Sequence, residues 1–423
     1  MKNFKYIGLA LFFFFNTMNA QSIISLDDCY RWQSENHPLT AQISAINKSE
    51  KWQVQQVSRQ NWPQATLNGQ ASWQSDVSHI PNLPFPGLVI ESPSKDQYKL
   101  NLDIAQNIYD GGMIKASKKT VQQSITLEAK QVEANLYAIK EQLCRAYFGG
   151  LLAQEQVQIL KYSLADLNLK KDKVEKLVKE GVAIASQVLV LDANIIEIQQ
   201  QIDDAEIKKK NALVFIESVT GKTLAEEAKL INPLSIPQYD KTINRPETQL
   251  LSLDMANQEN IYQLNISKNF PKVALFGQVG YGRPGLNFLS NQFDPYAIVG
   301  MRLNWNLAGM YLGSFKRERA IKDLKLDKIK ALSTSVNNAY KVRADQEKND
   351  AERMKKVIES DNELIRIRTQ LVKIAETQFQ QGIINSNDYT IESNALLKAQ
   401  ILRAVHDIQY QQSLAIYKLI IGQ

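Results

Sequence analysis

Few residues of this chain have the types and spacing that chemistry requires. Gly280-Tyr281-Gly282-Arg283-Pro284-Gly285 spells the order in which a glycine-rich turn brings backbone N–H groups against a dinucleotide pyrophosphate. It follows an alternating segment, but Pro284 and the residues after it do not open a helix, so it reads as a loop between strands. Gly221-Lys222-Thr223 ends like a phosphate loop, but the first glycine of that motif falls on Ile216. His37, His79 and His406 stand apart and suit surface or packing roles. Asp27-Asp28 and Asp203-Asp204 read as solvated helix faces rather than paired carboxylates. Cys29 and Cys144 lie far apart, on what read as different helices, and match no metal-ligand spacing. Asp388 follows the turn at Gly382 and reads as an acid at a helix N-terminus, where it favours the dipole. No Ser-His-Asp arrangement is present. The expectation is a protein that is not an enzyme and uses no cofactor or metal.

The elements that carry these residues occur twice. Trp62 to Trp73 returns without a gap as Phe270 to Tyr281, residue 270 against residue 62, a shift of 208. The same shift lays Asn36-His37-Pro38 on Asn244-Arg245-Pro246, and Gly181 and Gly221 recur later as Gly382 and Gly422. A long internal repeat sets the architecture. The expected organisation is a signal peptide over 1–20, a first repeat over 21–221, a linker over 222–243 and a second repeat over 244–423. The first repeat holds a helix, strands at 63–78 and 97–108, and a helical hairpin over 113–220. The second holds a helix, strands at 272–282 and 296–307, and a hairpin over 310–421. The linker holds Pro233 and Pro237 and reads as irregular and polar.

Lys2 and Lys5, the apolar run Ile7 to Phe15 and the small residue Ala20 compose a secretory signal, with cleavage expected after Ala20. The rest of the chain has no apolar run long enough for a spanning helix. Entry into a membrane would therefore require a barrel. Net charge is +6, with Lys and Arg mixed among Glu and Asp along helices, which argues against nucleic acid as a partner.

The four strand segments alternate strictly. Ala65, Leu67, Gly69, Ala71 and Trp73 share one face against Thr66, Asn68, Gln70 and Ser72. Tyr98, Leu100, Leu102 and Ile104 oppose Lys99, Asn101 and Asp103. Val273, Leu275, Gly277, Val279 and Tyr281 form a third apolar face, and Val299, Met301, Leu303 and Trp305 a fourth. Each segment is long enough to cross a bilayer at a tilt, about 9–11 residues. Four strands cannot close a barrel, for which about eight are needed. A trimer would supply twelve. The Pro- and Gly-rich connections from His79 to Asp96 and from Gly282 to Pro295 suit a barrel mouth.

From Ile125 a seven-residue row reads Ile125, Val132, Ile139, Ala146, Ala153, Leu160, Leu167 and Val174. Its companion, four residues on, is broken only by Gly150 and Lys171. This is a coiled-coil seam on a helix roughly 100 Å long. Val188, Leu191, Ile195, Ile198 and Ile202 continue it on a second helix, reached through Gly181, a helix stop, and Ser186, a helix cap. In the second hairpin Val357, Leu364, Ile367 and Leu371 form a seam. Arg343, Gln346 and Asp350 interrupt it, and that stretch reads as a face turned to water.

With its signal peptide, the Asn-x-Pro near each half's start and the Pro-x-x-x-Leu-x-Gly strand openings, the chain resembles the TolC-like outer-membrane factors. Asn107-Ile108-Tyr109-Asp110-Gly111-Gly112, where strand becomes helix, and the Gly382 to Asp388 turn carry the resemblance further, over residues 21–423. It implies a fold that is mainly α with a small β part: a homotrimer with a 12-stranded outer-membrane β-barrel continued by a periplasmic coiled-coil barrel. It implies a passive duct in the outer membrane, reaching into the periplasm among outer-membrane lipid. The duct would dock on a periplasmic adaptor (membrane fusion) protein and a proton-driven or ATP-driven inner-membrane pump. Adaptor contact would fall at the hairpin tips: Gly181, Val182, Ala185, Ser186, Gly382, Ile383, Ser386 and Asn387. Strand–helix junctions would fall at Asp110, Gly111, Gly112 and Gly309. Asp388 matches the first of two acidic gate positions, whereas Ile391 stands at the second. The second junction, Asn306-Leu307-Ala308-Gly309-Met310, lacks the Asp-Gly-Gly and is expected to bend differently. Small-molecule efflux is the leading reading of the duct. Protein or peptide secretion and a secreted coiled-coil scaffold are the alternatives.

Overall fold

A computed structural model describes residues 23–78, 92–225, 227–233, 242–287 and 290–423. The expected signal peptide, His79 and most of the first strand-to-strand connection lie outside the described residues. In chain order the elements are β1 (Ile23–Ile24), α1 (Leu26–Asn36), α2 (Pro38–Ser58), β2 (Gln64–Trp73), β3 (Asp96–Tyr109), α3 (Met113–Lys179) and α4 (Ser186–Thr220). There follow β4 (Lys229–Leu230), α5 (Pro246–Ser267), β5 (Lys272–Arg283), β6 (Asp294–Asn304), α6 (Ala308–Tyr311), α7 (Ser314–Gln380) and α8 (Ser386–Ile421). The chain is thus mainly helical with a small strand part. It divides into two compact units. One comprises residues up to His37, Ile139–Tyr239 and Asp345–Leu419, and the other comprises Pro38–Ala138, Asp240–Ala344 and Ile420–Gln423. None of the described helices is apolar enough over its length to cross a membrane.

Several boundaries differ from the sequence expectation, each for a local reason. The single helix expected before the first strand is two. His37 is extended at ψ 134 because it precedes Pro38, and the helix restarts at the proline. A strand lasts only as long as its partner. β2 ends at Trp73, opposite the start of β3 at Asp96, and β6 ends at Asn304, opposite Lys272, just after Pro271. The second long helix begins not at 310 but as the short α6, then breaks at Gly313, φ 68, before α7.

The sheet belongs to the second unit. Its order is β2-β3-β5-β6, antiparallel throughout, so β2 and β6 are its edges. The register aligns Leu67, Leu102 and Val279 across three strands and pairs Leu275 with Met301. One face is therefore apolar from edge to edge, yet it is bare: Val299 is 86% exposed and Met301 69%. The glycine pattern read against a nucleotide fold is explained here. A Cβ on Gly280 would stand 2.5 Å from the Tyr296 ring, and one on Gly282 2.6 Å from the Tyr98 carbonyl oxygen. These glycines let rings and strands approach closely.

The same unit packs Ile125, Ala129 and Val132 of α3 against Ile46 of α2. It also holds Arg245, only 2% exposed. Its guanidinium lies 4.7 Å from the Tyr137 ring centroid and 4.4 Å from that of Tyr340, and pairs with Glu247 through bonds of 3.0 and 2.6 Å. Burial disfavours the Glu247 charge, but the Arg245 bonds more than offset it and hold the carboxyl below its usual range.

The other unit's core joins Leu160, Leu167 and Val174 of α3 to Leu191, Ile198 and Ile202 of α4 and Leu397 of α8. Gly150 interrupts the seam because a Cβ there would stand 2.9 Å from both Ala212 and Leu230. The expectation of an irregular, polar linker needs correction. Ala228 and Leu230 are buried, and β4 pairs in parallel with β1. Gln154 donates to the Leu230 carbonyl and accepts from its N–H, both at 3.0 Å, while Tyr147 Oη donates to Ile231 O at 2.6 Å, lies 2.9 Å from Ile24 O and accepts from Ile231 N–H at 3.1 Å. With its backbone groups satisfied, a segment of ordinary composition becomes part of the core. Cys29 and Cys144 are buried free thiols, pushed up by burial to about 12 and about 11.

Candidate functional site

The two hairpin tips lie in one unit and are built alike. Gly181 and Gly382 take φ 76 and 72, the left-handed conformation that closes a helix with carbonyls satisfied. Val182 N–H bonds Leu177 O at 2.8 Å and Gly181 N–H bonds Val178 O. Ile383 N–H bonds Gln378 O at 2.8 Å and Gly382 N–H bonds Phe379 O. This leaves the next side chains, Val182 at 72% and Ile383 at 65% exposure, standing in solvent at the extreme of each hairpin. Ala185, Ser186 and Asn387 are exposed beside them.

Beyond the turn the tips diverge. Ser186 is the first residue of α4, and no side chain caps that helix; the cap position is Ala185. At α8 the cap is Asn385, whose Oδ1 accepts from Asp388 N–H at 3.0 Å while Asp388 Oδ2 accepts from Asn385 N–H at 3.4 Å. Asp388 is thus exposed and engaged in a reciprocal cap. Ser386, expected on an adaptor-facing surface, is buried. Its hydroxyl donates to Gln187 O at 3.1 Å and ties the second tip to the first.

Behind the tips lies a cluster that sequence reasoning did not find. Tyr389 of α8 is buried, and its Oη donates to Asp166 Oδ2 of α3 at 2.7 Å. Burial, and then the neighbouring Asp166 carboxylate, push the Tyr389 phenol well above its ordinary range, so it stays the donor. The ring stacks on Phe379 of α7, centroids 5.5 Å apart, and Lys170 Nζ lies 5.4 Å over its centre. Lys170, itself buried, pairs with Glu376 of α7 and lies 3.8 Å from Asp166. Further along, Asn394 Nδ2 donates to Asn194 Oδ1 at 2.9 Å.

These bonds sort by what they join. Lys171–Asp192 (2.6 Å), which explains the Lys171 intruder, and Lys161–Glu206 (2.8 Å) lie inside the first hairpin. Arg368–Glu392 (3.2 Å) and His406–Asp361 (2.6 Å) lie inside the second. Ser386–Gln187, Tyr389–Asp166, Lys170–Glu376 and Asn394–Asn194 run between hairpins. Each hairpin is stapled internally, and a short set of bonds holds one against the other. The interrupted stretch of α7 borders a hollow of about 270 Å³ lined by Arg145, Glu347, Asp350, Arg353, Gln409 and Gln412, a setting that favours water.

At the strand–helix junctions, Asp110 caps α3 by accepting from Gly112 N–H at 2.9 Å and Ile114 N–H at 2.6 Å. Gly111 and Gly112 have φ 72 and 80. In the second half Asn306 Oδ1 accepts from Ala308 N–H at 3.1 Å, and Gly309 admits Asn269 where a Cβ would come within 2.6 Å. Among the described residues no group of His, Cys, Asp and Glu could hold a metal.

No family model matches the sequence. No curated protein matches it either. Solved structures do. The outer-membrane channel OprN superposes with a TM-score of 0.71 at 16% identity, over 94% of this chain and 90% of that one. The outer-membrane channel CmeC of Campylobacter jejuni gives 0.70 at 12%, over 94% and 85%. The outer-membrane protein VceC of Vibrio cholerae gives 0.67 at 14%, over 94% of each. At such identities the likeness speaks for the backbone: this chain has the TolC-like fold of the outer-membrane channels.

Proposed function

We propose that this protein is a homotrimeric outer-membrane channel. Four strands from each of three copies would close a 12-stranded barrel, and the helical hairpins would extend into the periplasm. The observation that carries the reading is the sheet: a bare apolar face, spanned by strands of 10 to 14 residues and ending in two unpaired edges. In water such a face and such edges are unstable. In a bilayer an apolar outer face is required, and neighbouring copies would satisfy β2 and β6. The likeness to known outer-membrane channels supports the same reading.

The duct would be passive, with no catalytic role. Its hairpin tips would dock on a periplasmic adaptor that connects it to an inner-membrane pump. The exposed Val182, Ile184 and Ile383, with Gly181, Ala185, Ser186, Gly382 and Asn387, form the proposed docking surface. Opening would spread one hairpin from the other and break the bonds around Tyr389, with Asp388 at the gate. Small-molecule export is the leading cargo reading.

Membrane fractionation with native mass spectrometry tests the barrel: a trimer in the outer membrane is expected, and a soluble monomer would sink it. In-cell photo-crosslinking from positions 183 and 384 tests the docking. Capture of an adaptor belonging to a proton-driven pump is expected; an adaptor of an ATP-driven transporter would favour secretion, and no periplasmic partner would remove the tripartite mechanism.

A further inference from the structure

One carboxylate on the polar face of the sheet is held entirely by neutral donors. Asp103 Oδ2 accepts from Asn68 Nδ2 at 2.5 Å and Asn101 Nδ2 at 2.7 Å, and its Oδ1 accepts from Gln278 Nε2 at 2.6 Å. The donors come from β2, β3 and β5. Among the described residues Asp103 makes no ion pair. Asp96, at the end of the same strand, is by contrast neutralised by Arg283. Carboxamide dipoles fix a carboxylate in place without cancelling its charge.

The register isolates that charge. Asp103 shares a row with Thr66, Gln278 and Ile298. The row on one side holds Asn68, Asn101, Gly280 and Tyr296, and the row on the other Gln64, Ala105, Phe276 and Gly300. None of these side chains is charged. On this face the next charges are Lys99, four residues along β3, and Arg302, whose partner Ala274 lies four residues from Gln278. Four residues span about 13 Å at about 3.3 Å each. That span is of backbone; the Arg302 side chain reaches back along the face, and its guanidinium lies 5.0 Å from the Phe276 ring centre. The neighbouring rings do not stand over the carboxylate. Tyr296 lies against Gly280 and Phe276 against Gly300, so close that a Cβ would meet them at 2.5 and 2.8 Å.

We propose that Asp103 sets the ionic preference of the pore, a ring of three equivalent carboxylates at mid-barrel that draws cations and repels anions. The inference rests on the trimeric barrel proposed above. Rings of acidic side chains at a constriction favour cations by their field. Purified trimer in a planar bilayer under a potassium chloride gradient provides the test. The unaltered protein is expected to reverse on the potassium side. Asp103→Asn and Asp103→Ser, two neutral variants, are expected to shift the reversal potential toward chloride, and Asp103→Glu to restore it. A wild-type reversal potential already on the chloride side overturns the proposal without any variant, as do neutral variants that conduct with the wild-type value. A protein that assembles no trimer in the outer membrane overturns the barrel reading itself, and the proposal falls with it.

Discussion

Tyr389 carries the greatest consequence per atom. Its hydroxyl is a buried donor to a carboxylate on the other hairpin, and such a bond contributes about 1.5–3 kcal/mol. Tyr389→Phe keeps the ring on Phe379 and removes only that bond. Hairpin separation should become easier, and single-channel recordings should show more frequent high-conductance states with trimer yield unchanged. Asp166→Asn should move the recordings the same way. Wild-type gating in both variants would detach the cluster from opening. Glu247 gives a second residue-level expectation. Removing it takes from the buried Arg245 the carboxylate that accepts its 3.0 and 2.6 Å bonds, so Glu247→Ala should cost roughly 3 kcal/mol at neutral pH. Its folded pKa lies below its ordinary 4.5, so the contribution is present above that value and lost as pH falls through the folded one. Thermal midpoints of wild type and variant should therefore converge in acid and differ most at neutral pH.

At the scale of elements, Gly181 and Gly382 close both hairpins with φ that other residues adopt at about 1–2 kcal/mol. A Cβ at either would meet nothing within 4 Å, so the cost is conformational rather than steric. Ala at each should lower stability by about that amount and leave the sheet intact. Hydrogen exchange confined to the tips would show it, and protection lost across the sheet would contradict it. The same scale explains what the sequence made legible. Strand faces and the α3 seam repeat at periods of two and seven because burial acts on every turn of the backbone, so the pattern survives without knowledge of partners. The tip glycines are legible because their requirement is local. Tyr389 and Asp166, 223 residues apart, leave no periodic trace, nor does the stacking of Tyr137 and Tyr340 around Arg245. Gly150 and Lys171 show only as breaks in a seam, and their reasons, Leu230 and Asp192, lie on other elements.

For the whole molecule, the decisive question is which solvent covers the sheet. If lipid covers the face bearing Met301, Arg there should cost about 2–4 kcal/mol near the bilayer centre, whereas Arg at Thr66 on the opposite, polar face should be tolerated. The two positions are similar in secondary structure and differ in face, so backbone propensity cannot explain an unequal outcome. Met301→Arg should deplete trimer from outer membranes while Thr66→Arg assembles. A soluble sheet whose apolar face is buried by a partner protein would also reject Met301→Arg, so tryptophan quenching supplies the distinction. Trp73 and Trp305, both exposed at the ends of the strand region, should be quenched by brominated acyl chains only if the face lies in lipid. Quenching of both, with Met301→Arg excluded and Thr66→Arg accepted, is the result a membrane barrel requires. Unquenched tryptophans in a trimer that still assembles would place protein, not lipid, against the apolar face.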